Sequence, residues 1–272
     1  MEVLSTESLT IIVMRDTVVV KWGGGLITNK SVPCSPDSEI ISKLADELMS
    51  YVMEGNDVIL VHGAGSFGHL KAKQHRIHLG YSGEIKQMLV VDEIRKDMMA
   101  LNALVMASIT SVGAKTFHPH QWAKNTGSDF LGALPHSSPV TVVHGDVVPT
   151  DDVKRFGILS GDHLVERYAL EKKNVKRVVF AMRGADGILA RPPDVATEVD
   201  LIEDFDVNMS FQSVHHEEID VTGGIGLKVS CGIRIAQSGT DVHFINGDIS
   251  HRLGLAMRGL PVRGTIIHGG NN

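Results

Sequence analysis

The sequence predicts an α/β chain built on an open, mostly parallel β-sheet with helices on both faces. Three observations predict it. Short β-branched runs recur that are continuously apolar, as suits strands buried on both faces. Helical patterns lie between them, so successive strands require crossover connections. Glycines gather just after the strands, at the carboxyl ends where such sheets bind ligands.

The strands are expected at 17–21, 57–61, 140–143, 177–181 and 241–245. Ser35-Pro36 reads as an N-cap with proline in the first helical turn. Beyond it Ile40, Leu44, Leu48 and Val52 fall on one helix face, and Gly55 closes the helix. A second helix is expected over 86–112, ended by Gly113, a third over 162–172 and a fourth over 226–237. The strand-end glycines are Gly23-Gly24-Gly25, then Gly63, Gly65 and Gly68, then Gly145, then Gly184 and Gly187. No linker of low complexity and no internal repeat interrupts the pattern.

The 272 residues are 43% hydrophobic, enough for one large domain or two small ones. Charged residues make up 21% and the mean hydropathy is near zero, as in a soluble globular protein. A net charge of −6 disfavours nucleic acid and membrane surfaces as partners. The basic run Lys172, Lys173, Lys176 and Arg177 reads as a solvated helix end. Cys34 and Cys231 lack metal-ligand spacing and do not form a disulfide framework, which fits a reducing cytoplasm. No apolar run approaches the ~18 residues that span a bilayer. The apolar patch 9–14 has no basic region before it and does not read as a signal peptide. Residues 1–16 are expected to be an extension, with Met14 an alternative start, and 17–267 a single domain.

Two glycine loops match motifs that their context rejects. Gly63-Ala64-Gly65-Ser66-Phe67-Gly68 is literally G-x-G-x-x-G after a strand. A dinucleotide site also needs an acid about 20 residues on, at the end of a second strand, and Glu84 has no strand leading to it. The run 24–31 nearly matches a P-loop, but Asn29 stands where glycine is required. Pro33 and Pro36 also stop a helix from starting directly after Lys30. The loops instead offer backbone N–H groups to phosphate, with no side chain in the way.

In order along the chain stand Lys21-Trp22-Gly23-Gly24-Gly25-Leu26-Ile27-Thr28-Asn29-Lys30, His62-Gly63-Ala64-Gly65-Ser66-Phe67-Gly68-His69 and Gly157-Ile158-Leu159-Ser160-Gly161-Asp162. Ala185-Asp186-Gly187-Ile188, Asp220-Val221-Thr222-Gly223-Gly224-Ile225-Gly226-Leu227-Lys228, Phe244-Ile245-Asn246-Gly247 and Gly264-Thr265-Ile266 follow. The ordered set resembles the isopentenyl phosphate kinases over roughly residues 17–267. The chain departs from that family's pattern at Gly25, usually serine, and at His163, usually a second acid. It departs again at Arg183-Gly184-Ala185, usually T-D-V, close to the expected nucleotide pocket.

The resemblance implies the amino-acid-kinase fold, a three-layer αβα sandwich whose N-terminal half binds the acceptor and whose C-terminal half binds the nucleotide. It implies ATP and Mg²⁺, a prenyl phosphate acceptor, a homodimer and a cytoplasmic role in isoprenoid precursor supply. Lys21 and Lys228 would clamp the transferring phosphoryl group, although alone Lys228 reads as an ordinary helix-face lysine. Asp162 would orient both lysines, or cap its helix, or do both. Lys30 would reach phosphate from its loop, or be solvated. His69 would contact the acceptor phosphate, while His62 packs against the strand end. Gly24, Gly25, Gly63, Ala64, Gly65, Ser66, Gly68 and Gly161 would hold the acceptor. Lys21, Lys30, Asp186, Gly187, Gly223, Gly224 and Lys228 would hold ATP. Tyr81, Ile85, Met88, Val91, Ile94 and Met98 could line a pocket for the tail, or equally form helix core.

Phosphoryl transfer asks the protein for positioning and charge neutralisation. A phosphate monoester has a second pKa of about 6, so near neutral pH it is already an anionic nucleophile. It needs charge relief, where a hydroxyl acceptor would need a base. Rival readings on the same fold are a fosfomycin-type phosphonate kinase and a kinase of a carboxylate or carbamate. A nucleotide-binding storage or regulatory protein without turnover is the rival from another class.

Overall fold

The computed structural model describes residues 15–191, 196–206 and 224–270. Residues 1–14 of the expected extension 1–16 and the site residue Gly223 lie outside them.

Seven strands form one sheet: β1 (Thr17–Trp22), β2 (Asp57–His62), β3 (Ala114–Thr116), β4 (Val140–His144), β7 (Val175–Met182), β8 (Asp241–Asn246) and β9 (Gly264–Ile267). A separate antiparallel hairpin pairs β5 (Asp146–Pro149) with β6 (Phe156–Leu159). The sheet order is β3-β4-β2-β1-β7-β8-β9, parallel throughout except for β9 against β8. All five expected strands are present. β3, β9 and the hairpin were not anticipated. β1 lies between β2 and β7, so the chain winds outward in both directions from it. In open α/β sheets the crevice at such a switch point is the ligand site.

The strand period of two assigns the layers. Val18, Val20 and Trp22 of β1 pack on one face with α2 (Ser38–Met53), α4 (Ile85–Ser108) and α7 (Arg252–Arg258). Val19 faces the other side with α5 (Gly161–Glu171) and α6 (Gly224–Gln237). Two short helices, α1 (Gly24–Ile27) and α3 (His69–Gln74), complete the set at the mouth of the sheet. This is the expected αβα sandwich. Lys21 shares the parity of Val19, so its side chain rises toward α5 and α6. That parity decides the site.

Helix boundaries differ from expectation for local reasons. α2 is capped by Asp37, whose side chain accepts the Ile40 N–H at 3.2 Å, while Pro36 is held in a bridge to Thr28. α4 ends at Ser108 and passes through a 3-10 turn to Gly113, whose φ of 71° is the left-handed conformation glycine tolerates. Ser160, and not Asp162, caps α5, its hydroxyl accepting from the Asp162 N–H at 3.2 Å.

Candidate active site

A cavity of about 960 Å³ opens over the carboxyl ends of the central strands. Its floor is Lys21, at the end of β1. Lys21 is buried, and its ammonium is ion-paired with Asp162 in the first turn of α5. Lys228, one turn into α6, approaches the other Asp162 oxygen at 3.5 Å, and its Nζ also donates to the Gly224 carbonyl at 3.1 Å. Residues 21, 162 and 228 thus meet as one knot of two cations and one anion.

Burial pushes the Lys21 pKa down to about 8; Asp162 pulls it back up and Lys228 depresses it further. Burial alone would raise Asp162, but the Lys21 and Lys228 charges outweigh it and hold the carboxyl below its usual range. Gly161 makes the approach possible. A Cβ there would sit 3.3 Å from the Lys21 Cε and 3.3 Å from the Val61 side chain.

Above the knot lie two glycine loops packed backbone to backbone. A Cβ on Gly24 would meet the Gly65 Cα at 2.8 Å, and one on Gly63 would meet the Gly24 Cα at 2.9 Å. Gly65 has a φ of 48°. Thr28 stitches the loops: its hydroxyl donates to the Gly24 carbonyl at 2.7 Å and accepts the Ser66 N–H at 3.0 Å. Cys34 and Ser35 also donate their N–H groups to the Ser66 carbonyl and hydroxyl, at 3.2 Å each. α1, α5 and α6 all direct their N-terminal ends at the cavity, through Gly24, Gly161 and Gly224. Exposed helix N-termini favour anions.

Most of the anticipated site residues line this one cavity: Lys21, Lys30, His69, Asp162, Gly187, Gly224 and Lys228, with Gly24, Gly25, Gly63, Ala64, Gly65, Ser66, Gly68 and Gly161. Asp186 does not. Its carboxylate is turned toward Arg252 and Arg263, each at 2.5 Å, so it anchors the loop whose neighbours Ala185 and Gly187 face the cavity. Of the six residues considered for an apolar pocket, only Ile94 and Met98 reach the cavity. Ile85 and Met88 are exposed, Val91 is core, and Tyr81 packs edge-on to Phe156. Val147 and Ile158, from the hairpin that was not anticipated, join them on the apolar wall, with Leu70 and Ala72 of α3 also lining the cavity.

His62 is fully buried, and burial with the neighbouring His144 pushes its pKa down to about 3. Its Nε2 lies 3.2 Å from Asn102 Oδ1. A neutral histidine so placed supports the strand end and does not carry charge to a phosphate.

Sequence reasoning missed Thr28 and Asp146. Asp146 lines the cavity, and its buried carboxylate accepts from His120 Nδ1 at 2.7 Å and from the Val147 N–H at 2.8 Å. Its place directly after Gly145, at a strand end, was the available signal. Arg183 also lines the cavity, bridging Asp37 at 2.5 Å and Asp248 at 3.0 Å.

Residues 16–246 match the amino acid kinase family. The chain belongs to that family. Among its relatives is the isopentenyl phosphate kinase of Thermoplasma acidophilum, 30% identical over 253 residues that cover 87% of this kinase and 94% of the relative. The isopentenyl phosphate kinase of Methanothermobacter thermautotrophicus is 26% identical over 93% of this chain and 99% of its own. A solved isopentenyl phosphate kinase structure superposes with a TM-score of 0.76 at 24% identity, covering 92% of this chain and 99% of that one, which shows the shared fold. No helix among the described residues of this kinase is long and apolar enough to cross a membrane.

Proposed function

We propose that this amino acid kinase transfers the γ-phosphoryl group of ATP to the phosphate of isopentenyl phosphate, giving isopentenyl diphosphate and ADP. The observation that carries the reading is the continuity of one cavity. The Lys21–Asp162–Lys228 knot, the two amide-rich loops with His69, and the apolar wall of Ile94, Met98, Val147 and Ile158 all open into it. A small phosphate with a short apolar tail matches that sequence of environments. The curated relatives named above carry the same activity in their names.

In this reading the N-terminal half holds the acceptor. Gly63, Ser66, Phe67 and Gly68 give their N–H groups to protein oxygens. The Ala64 and Gly65 N–H groups with the His69 ring therefore take the acceptor phosphate, and the apolar wall takes its tail, at about 0.8 kcal/mol per buried CH₂. The C-terminal half holds ATP, with Gly187, Gly224 and Lys228 on its side of the cavity. Lys21 and Lys228 offset charge on the transferring group, and Asp162 keeps both ammonium groups aimed at it. The acceptor oxygen is already anionic, so no residue is required to remove a proton from it. Arg183 stands in the nucleotide half, where it bears on nucleotide preference.

Among the described residues, no group of three or more His, Cys, Asp or Glu side chains could hold a metal ion. The carboxylates of the cavity-lining Asp162 and Asp146 are both buried and engaged by protein donors. That donor set fits Mg²⁺ brought in on the phosphates of ATP, since Mg²⁺ keeps several waters and binds substrate phosphates in kinase sites. Bound there, it would neutralise charge on the phosphates. We further propose a cytoplasmic protein, consistent with free Cys34 and Cys231. We propose a homodimer, for which the exposed Ile85, Leu89 and Leu104 of α4 supply an apolar surface.

The test is ADP release with ATP and a panel of acceptors. Isopentenyl and dimethylallyl phosphates should both react, with fosfomycin and free carboxylates poor. A larger kcat/KM for fosfomycin would move the substrate to a phosphonate while leaving the kinase in place. No ADP release with any member of the panel would return the protein to a binding role.

A further inference from the structure

The Lys30 side chain lies across Gly25. A Cβ built on Gly25 would collide with the Lys30 Cε, with Nζ at 3.2 Å and Cδ at 3.3 Å. Both residues line the cavity. Gly25 differs from its neighbours in what surrounds it. At Gly24 and Gly63 an added Cβ would strike backbone, so those glycines serve the packing of the two loops. At Gly25 the three nearest atoms all belong to the Lys30 side chain. Nor does Gly25 need glycine for its conformation, because it is not among the residues with positive φ.

The backbone that carries Lys30 is fixed from both sides. Asn29 donates its N–H to the Ser35 carbonyl at 2.9 Å and accepts the Ser31 N–H on its own side chain at 3.0 Å. Thr28 and Pro36 are bridged, and Thr28 is stitched to the second glycine loop. With its main chain held, Lys30 has only the course of its side chain left to set. The gap over Gly25 sets that course.

We propose that Gly25 is a positioning residue: its missing side chain is the seat in which Lys30 folds inward over the phosphate loop. Seated there, Lys30 adds a third lysine ammonium to the cavity beside Lys21 and Lys228. Its ammonium is pre-placed for the ATP phosphates, and less side-chain freedom is lost when they arrive. A methyl group at position 25 would displace Lys30 from this seat, leaving it to reach phosphate from a less ordered side chain, with little effect on the fold, because what it meets is the end of a flexible side chain.

The inference rests on the proposed nucleotide site, and its test separates the two. Wild type, Gly25→Ala, Lys30→Ala and the double variant are titrated calorimetrically with a non-hydrolysable ATP analogue, alongside thermal melts. Gly25→Ala should keep the wild-type melting temperature and weaken the analogue by several-fold. The double variant should bind no worse than Lys30→Ala alone, and KM for ATP should follow the same pattern with kcat much less affected. Losses that multiply in the double variant, or a Gly25→Ala protein that binds like wild type, would overturn the inference and leave the kinase reading intact. No binding by wild type would overturn the nucleotide site and the inference with it.

Discussion

Asp162→Asn removes the charge that keeps Lys21 protonated, and the size of the effect follows from the pKa of Lys21. At about 8, roughly three-quarters of the Lys21 side chains carry a proton at about pH 7.5. An opposite charge in contact shifts a pKa by about 1–3 units, so the variant should place Lys21 at about 5–7. Only about 0.3–25% would then be charged at that pH, a loss of roughly 3-fold to 200-fold in the active form. The sign is fixed by burial. Lysine is charged below its pKa, so wild-type kcat/KM should hold between about pH 6, above which the acceptor phosphate has lost its second proton, and about pH 8, and decline above that. In the variant the decline should begin about 1–3 units lower, and activity should partly return on acidification as far as about pH 6, where the acceptor phosphate begins to protonate. The assay is kcat/KM for ATP across pH, by coupled ADP detection, because kcat/KM reports ionisation in the free enzyme. A uniform loss with the alkaline limb unmoved would mean that Asp162 acts by geometry alone, and the charge argument would fail.

His69→Ala should lower kcat by on the order of 10²–10³, as for loss of one donor to developing charge. His69→Gln keeps a donor but cannot accept a proton near neutral pH, so it should retain more activity; equal loss in both variants would reopen base catalysis. Gly24→Ala forces the two glycine loops apart, since its Cβ would lie 2.8 Å from the Gly65 Cα. It should cost about 1–3 kcal/mol of stability and raise KM for both substrates, and an unchanged thermal melt would show the loops to be more pliant than their packing implies.

The five central strands were legible because fully buried parallel strands must be apolar along their whole length, as in the run from Val58 to Val61. The hairpin was not. Asp146, Pro149 and Gly157 interrupt its two short strands, and its apolar residues read as loop. Val147 and Ile158 were therefore absent from the expected tail pocket, and α4 was given more of it than it supplies. β3 has three residues and β9 four, too few for a pattern to declare itself. Motif order brought Lys21, Asp162 and Lys228 together on paper. What joins them in space is the strand parity of Lys21 together with the N-terminal turns of α5 and α6. Asp186 shows the limit in the other direction: a motif marks a loop, but which side of it a carboxylate faces depends on arginines 66 and 77 residues away.

If the single chamber of about 960 Å³ holds both substrates as proposed, it has a pharmacological consequence. A two-headed ligand, with adenosine and an isoprenoid tail joined by a short polyphosphate bridge, could engage both halves without crossing solvent. Once one end has docked, the other faces its subsite at an effective concentration in the millimolar range. Such a compound should exceed the affinity of either half by about 10²–10⁴-fold. Selectivity over kinases that take ATP beside a polar acceptor would come from its tail against Ile94, Met98, Val147 and Ile158.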